Sequence, residues 1–492
     1  MNYISTRNNK LNATAAEAIA GGISKEGGLF VPETIPALSQ SDFENLKALD
    51  YKGRAKYILK NFLTDFSADE ISYCVDGAYT GSFQNEEPAP LARLGSNINM
   101  LELWHGPTCA FKDLALQLLP YLLTTAAKKV NSGKETVILV ATSGDTGKAA
   151  LEGFADVENT KIIVFYPCDG VSPMQKLQMD TQSGENVFVC SIKGNFDDAQ
   201  TGVKKIFTNS EIIGKLESAG KLFSSANSIN WGRLVPQIIY YVSAYCDLLK
   251  EGEIDGFNVV VPTGNFGNIL AAYYAKVMGV PIKKLICASN ANNVLTDFIE
   301  SGVYDRNRKF YTTISPSMDI LISSNLERML FELSGHDSDK IAALQENLAK
   351  EGTFKIDADM AAKVKEIFYG GCCDDTRTKA TIKKVFEEYG YLADTHTAVA
   401  LAVYEDYVSA TGDNTPVVIA STASPYKFAK SVYSAIGGEV TNDEFKVLND
   451  LSEETKTEIP APIKALETAT VRFNNVCESE QMPKVVLEYL GL

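Results

Sequence analysis

Basic residues are in the minority in this chain, which has 46 Lys and Arg against 62 Asp and Glu and a net charge of −16 at pH 7. A charge of this sign repels phosphate backbones and anionic lipid headgroups, so nucleic acids and membrane surfaces are poor partners. A small anionic ligand must therefore bind at a locally basic site or at backbone amide groups.

The cysteines lack the spacing of a metal site. There are nine of them, with no C-x-x-C pair and no nearby histidine at the spacing of a zinc site. The odd number and the missing pairs indicate buried, reduced thiols. We expect no metal site.

Neither a membrane span nor an export signal is visible. The longest apolar stretch, Leu114 to Ala127, is interrupted by Gln117 and Pro120 and is too short to cross a bilayer. Residues 1–22 contain no basic region followed by an apolar run and no small-residue cleavage site. The sequence therefore predicts a soluble, cytoplasmic protein.

The length and the hydrophobic pattern predict an α/β fold. A chain of 492 residues with 45% hydrophobic content buries a large core, in two or three domains. From Thr136 onward, short apolar runs alternate with segments of helical period, which is typical of parallel sheets covered by helices. Ligands of such sheets bind outside the carboxyl ends of the strands. The predicted strands are Val137–Ala141, Ile162–Tyr166, Val187–Ile192, Asn258–Val261, Leu285–Ala288 and Val417–Ser421.

The remaining regions have a helical pattern. Before Pro90 the chain is mostly helical and acidic, and Asn325 to Gly390 is helical and charged. The pair Gly370-Gly371 predicts a break within the second region.

One lysine stands at the start of an apolar helix, after a Gly-Pro turn, in the segment His105–Asp113. The helix dipole disfavours a cation at that position and apolar neighbours desolvate it, so both effects lower the pKa of Lys112 toward that of a usable nucleophile. For the segment taken alone, the alternative is a surface lysine that extends from a core helix.

Two strand-to-helix loops are candidate anion sites. Strand Val137–Ala141 leads into Thr142–Gly147, which offers hydroxyls, backbone N–H groups and a helix N-terminus to a carboxylate-sized anion. The alternative is that Asp145 or Thr146 only caps a helix that begins near Lys148.

The second loop, Gly264–Asn268, follows strand Asn258–Val261. Its two glycines flank Asn-Phe and let the backbone form a nest of N–H donors for a phosphate monoester. A turn whose glycines are only steric is the alternative. The loop lacks the spacings that bind nucleoside triphosphates or dinucleotides, which disfavours both ligands.

A third strand, Val417–Ser421, ends in hydroxyl residues, of which Thr422 either faces a ligand heteroatom or is only a turn residue. A nucleophilic lysine, an anion loop, a phosphate nest and a terminal hydroxyl on parallel strands together indicate one bound cofactor. That cofactor is pyridoxal phosphate.

The order of these segments resembles the threonine synthase family, within the fold-type II (tryptophan synthase β-like) group of pyridoxal-phosphate enzymes. The resemblance covers nearly the whole chain, and generic members of the group lack its further motifs. Those motifs are Tyr3–Arg7, Glu26–Pro32, Gly194–Gln200, Asn227–Arg233, Ser315–Asp319 and His396–Val399. The first two are similar to an N-terminal domain that is peculiar to the family.

The resemblance implies three domains and a role for each site residue. The domains are an N-terminal domain over 1–95, a large cofactor domain over 96–131 and 224–492, and a small mobile domain over 132–223. Lys112 matches the Schiff-base lysine, and Thr422 matches the partner of the pyridine nitrogen. The cofactor phosphate site is Gly264, Asn265, Phe266, Gly267 and Asn268. The substrate contacts are Thr142, Ser143, Asp145, Thr146, Asn227, Ser228, Asn230 and Arg233.

One departure from the family pattern is visible. Many relatives carry Thr-Ala-His-Pro where this chain has Thr422-Ala423-Ser424-Pro425. Any role of that histidine therefore does not carry over to Ser424, whereas the role of the threonine does.

The implied reaction converts O-phospho-L-homoserine and water to L-threonine and phosphate, with Lys112 as the group that moves protons. We expect a monomer or a weak homodimer. One alternative is a β-eliminating or β-replacing relative such as a threonine dehydratase or a cysteine synthase, and the N-terminal domain and Arg233 argue against it. Another is a catalytically silent metabolite sensor, which the retained Lys112 and phosphate loop make improbable.

Overall fold

A computed structural model describes the chain except residues 131–132, 143, 170 and 253 and the side chains at 85 and 197. The strands are β1 (Tyr3–Ser5), β2 (Asn8–Ala13), β3 (Phe30–Pro32), β4 (Leu91–Leu94), β5 (Ile98–Glu102), β6 (Glu135–Ala141), β7 (Thr160–Pro167), β8 (Val187–Lys193), β9 (Lys221–Ser224), β10 (Phe257–Pro262), β11 (Ile282–Ser289), β12 (Val303–Asp305), β13 (Thr353–Lys355), β14 (Phe368–Cys372), β15 (Val417–Ser421) and β16 (Asn475–Glu478).

The helices lie between these strands and cover them. They are α1 (Ala15–Gly21), α2 (Gln40–Lys47), α3 (Tyr51–Phe62), α4 (Ala68–Tyr79), α5 (Lys112–Leu116), α6 (Leu119–Val130), α7 (Asp145–Phe154), α8 (Pro173–Asp180), α9 (Phe196–Thr208), α10 (Ser210–Ser218), α11 (Trp231–Glu251), α12 (Gly267–Val277), α13 (Val294–Ser301), α14 (Leu326–Leu333), α15 (Ser338–Glu351), α16 (Ala358–Ile367), α17 (Asp375–Tyr389), α18 (Thr395–Thr411), α19 (Ala429–Ile436), α20 (Glu444–Thr455), α21 (Ala461–Lys464) and α22 (Met482–Leu490). In the part of the chain that is described, no helix is both long and apolar enough to cross a membrane.

Two parallel sheets form the centre of the fold. The larger has the order β14-β11-β10-β15-β5-β4 and is parallel except for the antiparallel pair β4 and β5, and the smaller has the order β16-β8-β7-β6-β9 and is parallel throughout. Every residue of β10 and β15 is buried, as expected for strands covered on both faces. The predicted α/β class is therefore confirmed.

The N-terminal region is a small layer packed on the rest. Its three strands form an antiparallel sheet of order β2-β1-β3, and α1, α2 and α4 each begin with a capping box, at Thr14, Ser39 and Ser67. The helices α2 and α3 pack against α11, a long and almost completely buried helix. The mostly helical pattern before Pro90 is thus found, together with a small sheet that the pattern did not predict.

All six predicted strands are present, and β14 is one of several strands that were not predicted. It contains Gly370 and Gly371, which we interpreted as a break in a helical region. An added Cβ would lie 3.0 Å from the Cα of Thr296 at Gly370 and 2.6 Å from Val403 Cγ1 at Gly371. The predicted break in the helical region is confirmed, because α16 ends at Ile367 and α17 begins at Asp375, with β14 between them. The glycines are there because α13 and α18 approach the strand closely.

The predicted domain boundaries are not tested by the structure. Two strands, however, pair with a sheet outside the domain to which those boundaries assign them. Strand β4, within the proposed N-terminal domain, pairs with β5 in the larger sheet. Strand β16, within the proposed large domain, pairs with β8 and extends the smaller sheet. The end of the chain therefore crosses back to the segment that we expected to form a separate small domain.

The cysteines are all free, and the predicted burial is wrong for Cys372, which is exposed, and for Cys168, which is half-buried. Among the described residues, no group of three or more His, Cys, Asp or Glu side chains is placed to hold a metal ion.

Candidate active site

Lys112 begins α5 at the carboxyl edge of the larger sheet. The preceding residues pair with the chain that follows β15, since Phe111 N–H donates to Thr422 O at 2.8 Å and Ser424 N–H donates to Cys109 O at 3.0 Å. Lys112 and Thr422 are thus brought together by backbone hydrogen bonds, as a shared ligand requires. The Thr422 hydroxyl itself donates to no acceptor within the described structure.

The Lys112 ammonium group lies among polar groups in a partly buried position. Its Nζ is 3.4 Å from Ser317 Oγ and 3.7 Å from Asp145 Oδ2. Burial lowers the pKa of Lys112, the Asp145 carboxylate opposes this, and the charges of Lys427 and Arg233 lower the pKa further. The predicted lowering is confirmed, and two nearby cations contribute to it besides burial.

Asp145 is held by a second buried lysine that the sequence analysis missed. Lys427 Nζ lies 3.0 Å from Asp145 Oδ1 and donates to Thr108 O at 2.7 Å and to Gln178 Oε1 at 3.2 Å. Burial alone raises the pKa of Asp145, but the charges of Lys427 and Lys112 and a hydrogen bond from Gln175 lower it overall. Asp145 is therefore a carboxylate at neutral pH, and Lys427 has its protons satisfied by the protein.

The loop after β6 is shaped by its own threonine. Thr142 Oγ1 accepts from Gly144 N at 3.0 Å and from Gly147 N at 2.9 Å, and it donates to Gly144 O at 3.1 Å. Gly144, with φ of 141°, is the N-cap of α7, so the alternative that Asp145 or Thr146 caps this helix is wrong. The helix also begins earlier than Lys148.

The predicted substrate contacts of this loop divide into three cases. Thr142 is buried and its hydroxyl is engaged by the loop, and Asp145 is paired with Lys427. Thr146 is half-buried next to these residues, and its hydroxyl has no hydrogen-bond partner among the described residues. Ser143 lies outside the described residues. Of this set, Thr146 is the residue whose placement best suits a ligand contact.

The loop after β10 has the geometry of an anion site. Phe266 has φ of 62°, in the left-handed region, and precedes α12 as its N-cap. A left-handed residue in a turn of this kind can direct successive N–H groups toward one point. Within the described structure, the N–H groups of Gly264, Asn265, Phe266 and Gly267 donate to no protein acceptor. An added Cβ at Gly264 would lie 2.7 Å from Ser317 O, so the glycine is needed for this close approach.

Two buried side-chain donors near this loop also lack a partner among the described residues. They are Asn268 Nδ2 and Arg233 Nε. The Asn268 amide has a fixed orientation because its Oδ1 accepts from the Tyr241 hydroxyl. Orphaned buried donors of this kind call for an acceptor, and the phosphate of a cofactor and a second anion fit them.

The segment Asn227–Arg233 contributes unequally. Asn227 and Ser228 are half-buried, and the hydroxyl of Ser228 lies 3.4 Å from that of Ser324. Arg233 is buried, with its pKa lowered to about 10 by burial, and it donates to Ala226 O. These three residues are available to a ligand.

Asn230 is not available to a ligand. Its Oδ1 caps α11 by accepting from Gly232 N at 2.8 Å, and its Nδ2 donates to Ile19 O at 2.9 Å and Ser225 O at 3.1 Å. The geometry therefore gives Asn230 a structural role in place of the substrate contact that we expected.

Two further residues of the site, Ser317 and His396, were present in quoted motifs but had no assigned role. Ser317 contacts Lys112, and its backbone N–H donates to His396 Nε2 at 3.1 Å. His396 Nδ1 faces Asp394 Oδ1 at 2.9 Å, so the ring is the neutral tautomer that donates to Asp394 and accepts from Ser317. The motifs Ser315–Asp319 and His396–Val399 carried this signal, whereas nothing in the sequence pointed to Lys427.

Models of three protein families match the chain. They are "Threonine synthase N terminus" over residues 2–79, "Pyridoxal-phosphate dependent enzyme" over residues 84–356 and "Threonine synthase, C-terminal" over residues 397–485. Together they span most of the sequence, including the N-terminal region and the segment that returns to the smaller sheet.

Curated relatives agree with these matches. The chain is 34% identical to threonine synthase of Saccharomyces cerevisiae over 99% of both chains, and 36% identical to that of Pseudomonas aeruginosa over 88% of this chain and 90% of the relative. It is 42% identical to human threonine synthase-like 1 over 86% of this chain, but it spans only 58% of that protein's length.

Solved structures of high similarity are also threonine synthases. The pyridoxal-phosphate-bound enzyme from Brucella melitensis has a TM-score of 0.89 at 36% identity and covers 100% of this chain and 98% of its own. The yeast enzyme has a TM-score of 0.89 at 33% identity, with 100% and 99% covered.

Proposed function

Because the chain belongs to the threonine synthase family of pyridoxal-phosphate-dependent enzymes, we propose that it converts O-phospho-L-homoserine and water to L-threonine and phosphate. The observation that carries this proposal is the position of Lys112. Its partly buried amine lies beside Asp145 of the proposed anion loop and Ser317, which touches the proposed phosphate nest, and its pKa is lowered by burial, which opposes its charged form.

Pyridoxal phosphate is the cofactor of this family, and when bound it supplies an electron sink for negative charge that develops at Cα and Cβ of the substrate. In our proposal Lys112 holds it covalently, the N–H groups of Gly264–Asn268 bind its phosphate, and the Thr422 hydroxyl faces its ring nitrogen. The unpartnered donors of this loop and Asn268 support this placement.

Lys112 moves the protons in this reaction. Its amine removes one proton from Cα and one from Cβ of the substrate, the Cγ–O bond breaks, and the electron pair leaves with phosphate. Protons then return to Cγ and Cα, the hydroxyl of water adds to Cβ, and the other proton of water goes to the released phosphate. The lowered pKa of Lys112 keeps more of its amine in the neutral, basic form.

Ser317 and Asp145 orient the lysine for these transfers. The Ser317 hydroxyl lies 3.4 Å from both Lys112 Nζ and Asp145 Oδ2. The backbone of Ser317 is fixed by its hydrogen bond to the neutral His396 ring. Lys112 is thereby confined to the space between the two loops when it is not joined to the cofactor.

Arg233 is the proposed ligand of the substrate phosphate. It is a buried cation with no carboxylate in contact among the described residues, and its Nε lacks a partner. A protein of net charge −16 needs such a local donor to attract a dianion. Asn227 and Ser228, on the preceding turn, are the neutral groups placed to complete this site.

The direct test is an assay of the holoenzyme with O-phospho-L-homoserine in which phosphate and threonine are measured together. We expect equal amounts of both and no release of ammonia. Release of ammonia and a 2-oxo acid from L-threonine, assayed in parallel, would instead indicate a dehydratase, and the absence of any product would indicate a binding protein.

The substrate role of Arg233 has its own test. Arg233→Lys keeps the charge but loses the planar fork, so we expect the KM for phosphohomoserine to rise by about tenfold or more, with the cofactor affinity unchanged. Arg54→Lys is the matched control, since Arg54 is also buried but binds Asp247 and two backbone carbonyls away from the site. Equal losses of substrate and cofactor affinity in Arg233→Lys would contradict the assignment.

A further inference from the structure

The segment Ser323–Arg328 touches the phosphate nest from behind, and no role was assigned to it. Ser323 Oγ donates to Gly264 O at 2.7 Å. The backbone N–H of Asn325 donates to Asn265 O at 3.0 Å, and Asn325 Nδ2 donates to the same oxygen at 3.2 Å. Two consecutive carbonyl groups of the nest are therefore held by this segment.

These contacts set the direction of the N–H groups that face the ligand. In a trans peptide unit, the C=O of one residue and the N–H of the next point in opposite directions. When Ser323 holds Gly264 O and Asn325 holds Asn265 O, the N–H groups of Asn265 and Phe266 must point away from the segment. Both point toward the open side of the nest, where an anion binds.

Arg328 fixes the orientation of the Asn325 amide. Its guanidinium donates to Asn325 Oδ1 at 2.5 Å, which leaves Nδ2 facing Asn265 O and Ser228 O. A flipped amide would place its NH₂ group against the guanidinium, where two donors meet. Arg328 also donates to Ile229 O at 2.6 Å, so it contacts the proposed substrate segment as well.

Arg328 is an unusual residue to bury. It is completely inaccessible to solvent, and its hydrogen bonds go to neutral acceptors, because the neighbouring Glu327 is taken up by Arg7 and Thr6. Burial lowers the pKa of Arg328 to about 10. A buried cation without a carboxylate in contact among the described residues stabilises an anion in its vicinity, and Arg328 is connected to the nest through Asn325.

The N-terminal region contacts this same segment. Phe30 O accepts from Arg328 Nε at 3.0 Å, and Arg7 donates to Glu327 through two nitrogens at 2.8 Å each. The two N-terminal motifs, Tyr3–Arg7 and Glu26–Pro32, thus both contact residues next to Asn325. This gives the N-terminal region a physical connection to cofactor binding.

We propose that Asn325 and Arg328 are positioning residues for the cofactor phosphate, which hold the nest with its N–H groups aimed at the ligand and connect it to the N-terminal region. They touch neither the reacting atoms nor the cofactor. Their effect is transmitted through the peptide groups of Gly264–Phe266.

The test compares Asn325→Ala with Asn258→Ala. Asn258 is also a buried, fully hydrogen-bonded asparagine, but it lies at the opposite end of β10 from the nest. We expect Asn325→Ala to weaken the affinity for pyridoxal phosphate by about tenfold, measured by removing and restoring the cofactor. The ³¹P resonance of the bound cofactor phosphate in the holoenzyme should also shift or broaden.

The control defines the outcomes. Asn258→Ala should lower the thermal stability but leave the cofactor affinity and the ³¹P resonance as in the unmodified protein. An unchanged affinity and resonance in Asn325→Ala would overturn the proposal, and so would equal changes in both variants. Neither measurement uses substrate, so failure here is distinct from failure of the proposed reaction.

Arg328 is tested by Arg328→Lys and Arg328→Met, with Arg54→Met as the matched buried arginine. We expect Arg328→Met to change the ³¹P resonance and Arg328→Lys to restore it in part, while Arg54→Met leaves it unchanged. If Arg328→Met does not fold, Ser323→Ala takes its place, because it removes the hydrogen bond to Gly264 O alone. A normal resonance in Ser323→Ala and Arg328→Lys would then contradict the proposal.

Discussion

Two strand-to-helix loops flank Lys112, and they differ in what their donors do. In Gly264–Asn268 the carbonyl groups are held from behind and the N–H groups are left without protein acceptors. In the loop after β6, the Thr142 hydroxyl takes up two N–H groups and Lys427 neutralises Asp145. A strand followed by a small-residue loop thus marks the place of a site, but side chains from elsewhere decide whether the loop binds an anion.

The largest expected effect comes from the residue between the loops. Lys112→Ala removes the only amine that contacts both Asp145 and Ser317 in the described structure, so turnover should fall by about a thousandfold or more. Lys427→Ala is the comparison, because its buried amine is saturated by protein acceptors. Lys427→Ala should lower the stability of the protein more than its turnover. A turnover of Lys112→Ala comparable to that of the unmodified protein would contradict the role assigned to Lys112.

Two buried carboxyl groups near Lys112, those of Asp113 and Asp145, can be compared by stability measurements, because their pKa values shift in opposite directions. Burial raises the pKa of Asp113 to about 6, against hydrogen bonds from Thr108. The unfolded chain releases this proton at a pKa of about 3.9, so the free energy of unfolding should fall by about 2 kcal/mol as the pH rises from about 4 to about 6. Asp113→Asn should remove that loss, measured by denaturant unfolding across this range.

Asp145 should behave in the opposite way. Because its pKa is lowered, it contributes stability above about pH 4, and that contribution is lost as the pH falls further. Asp145→Asn leaves the buried Lys427 without its counter-charge and should cost about 3 kcal/mol at neutral pH. If both variants change stability in the same direction at neutral pH, the contrast between the two carboxyl groups is wrong.

A smaller effect separates the two loops directly. An alanine at Gly264 would place its Cβ 2.7 Å from a backbone oxygen, Ser317 O, at a cost of about 1–3 kcal/mol that should appear as weaker cofactor binding. Gly144→Ala is strained by its φ of 141° and meets the Gln175 side chain, but it should keep the cofactor affinity within about twofold. Titration of both variants with pyridoxal phosphate checks this, and similar losses would show that the loops share one role.

The smallest expected effect concerns Thr422, which is tied to the backbone before Lys112. Thr422→Ser keeps the hydroxyl and should preserve function. Thr422→Ala should cost about 1 kcal/mol, roughly fivefold, in cofactor affinity or turnover if the hydroxyl donates to the ring nitrogen. If the alanine variant keeps the cofactor affinity, turnover and absorbance spectrum of the unmodified protein, Thr422 only ends a strand and makes no functional contact with the cofactor.

Most of the fold could be predicted because its buried parallel strands are apolar runs, such as Val417–Ser421, which nothing in their sequence contradicts. Strand β14 could not, because Gly370 and Gly371 disfavour a strand and are explained only by the close approach of α13 and α18. The N-terminal sheet could not either, since its strands β1 and β3 have three residues each.

The candidate site shows the same limit. Lys112 and the Gly264–Asn268 loop are recognisable from local sequence, because the glycines and the helix start act within a few residues. Lys427 and the orientation of the Asn230 amide depend on partners far away in the chain, Asp145 and Ile19. Contacts of this kind follow from the folded arrangement and leave no local pattern.

The most direct test of the account is to reduce the holoenzyme with borohydride and map the labelled peptide. The account expects the cofactor on Lys112, in the peptide that contains His105–Asp113. The alternative site of labelling is Lys427, a buried lysine that also lies beside Asp145. Label on Lys427, or on any lysine other than Lys112, would contradict the central claim.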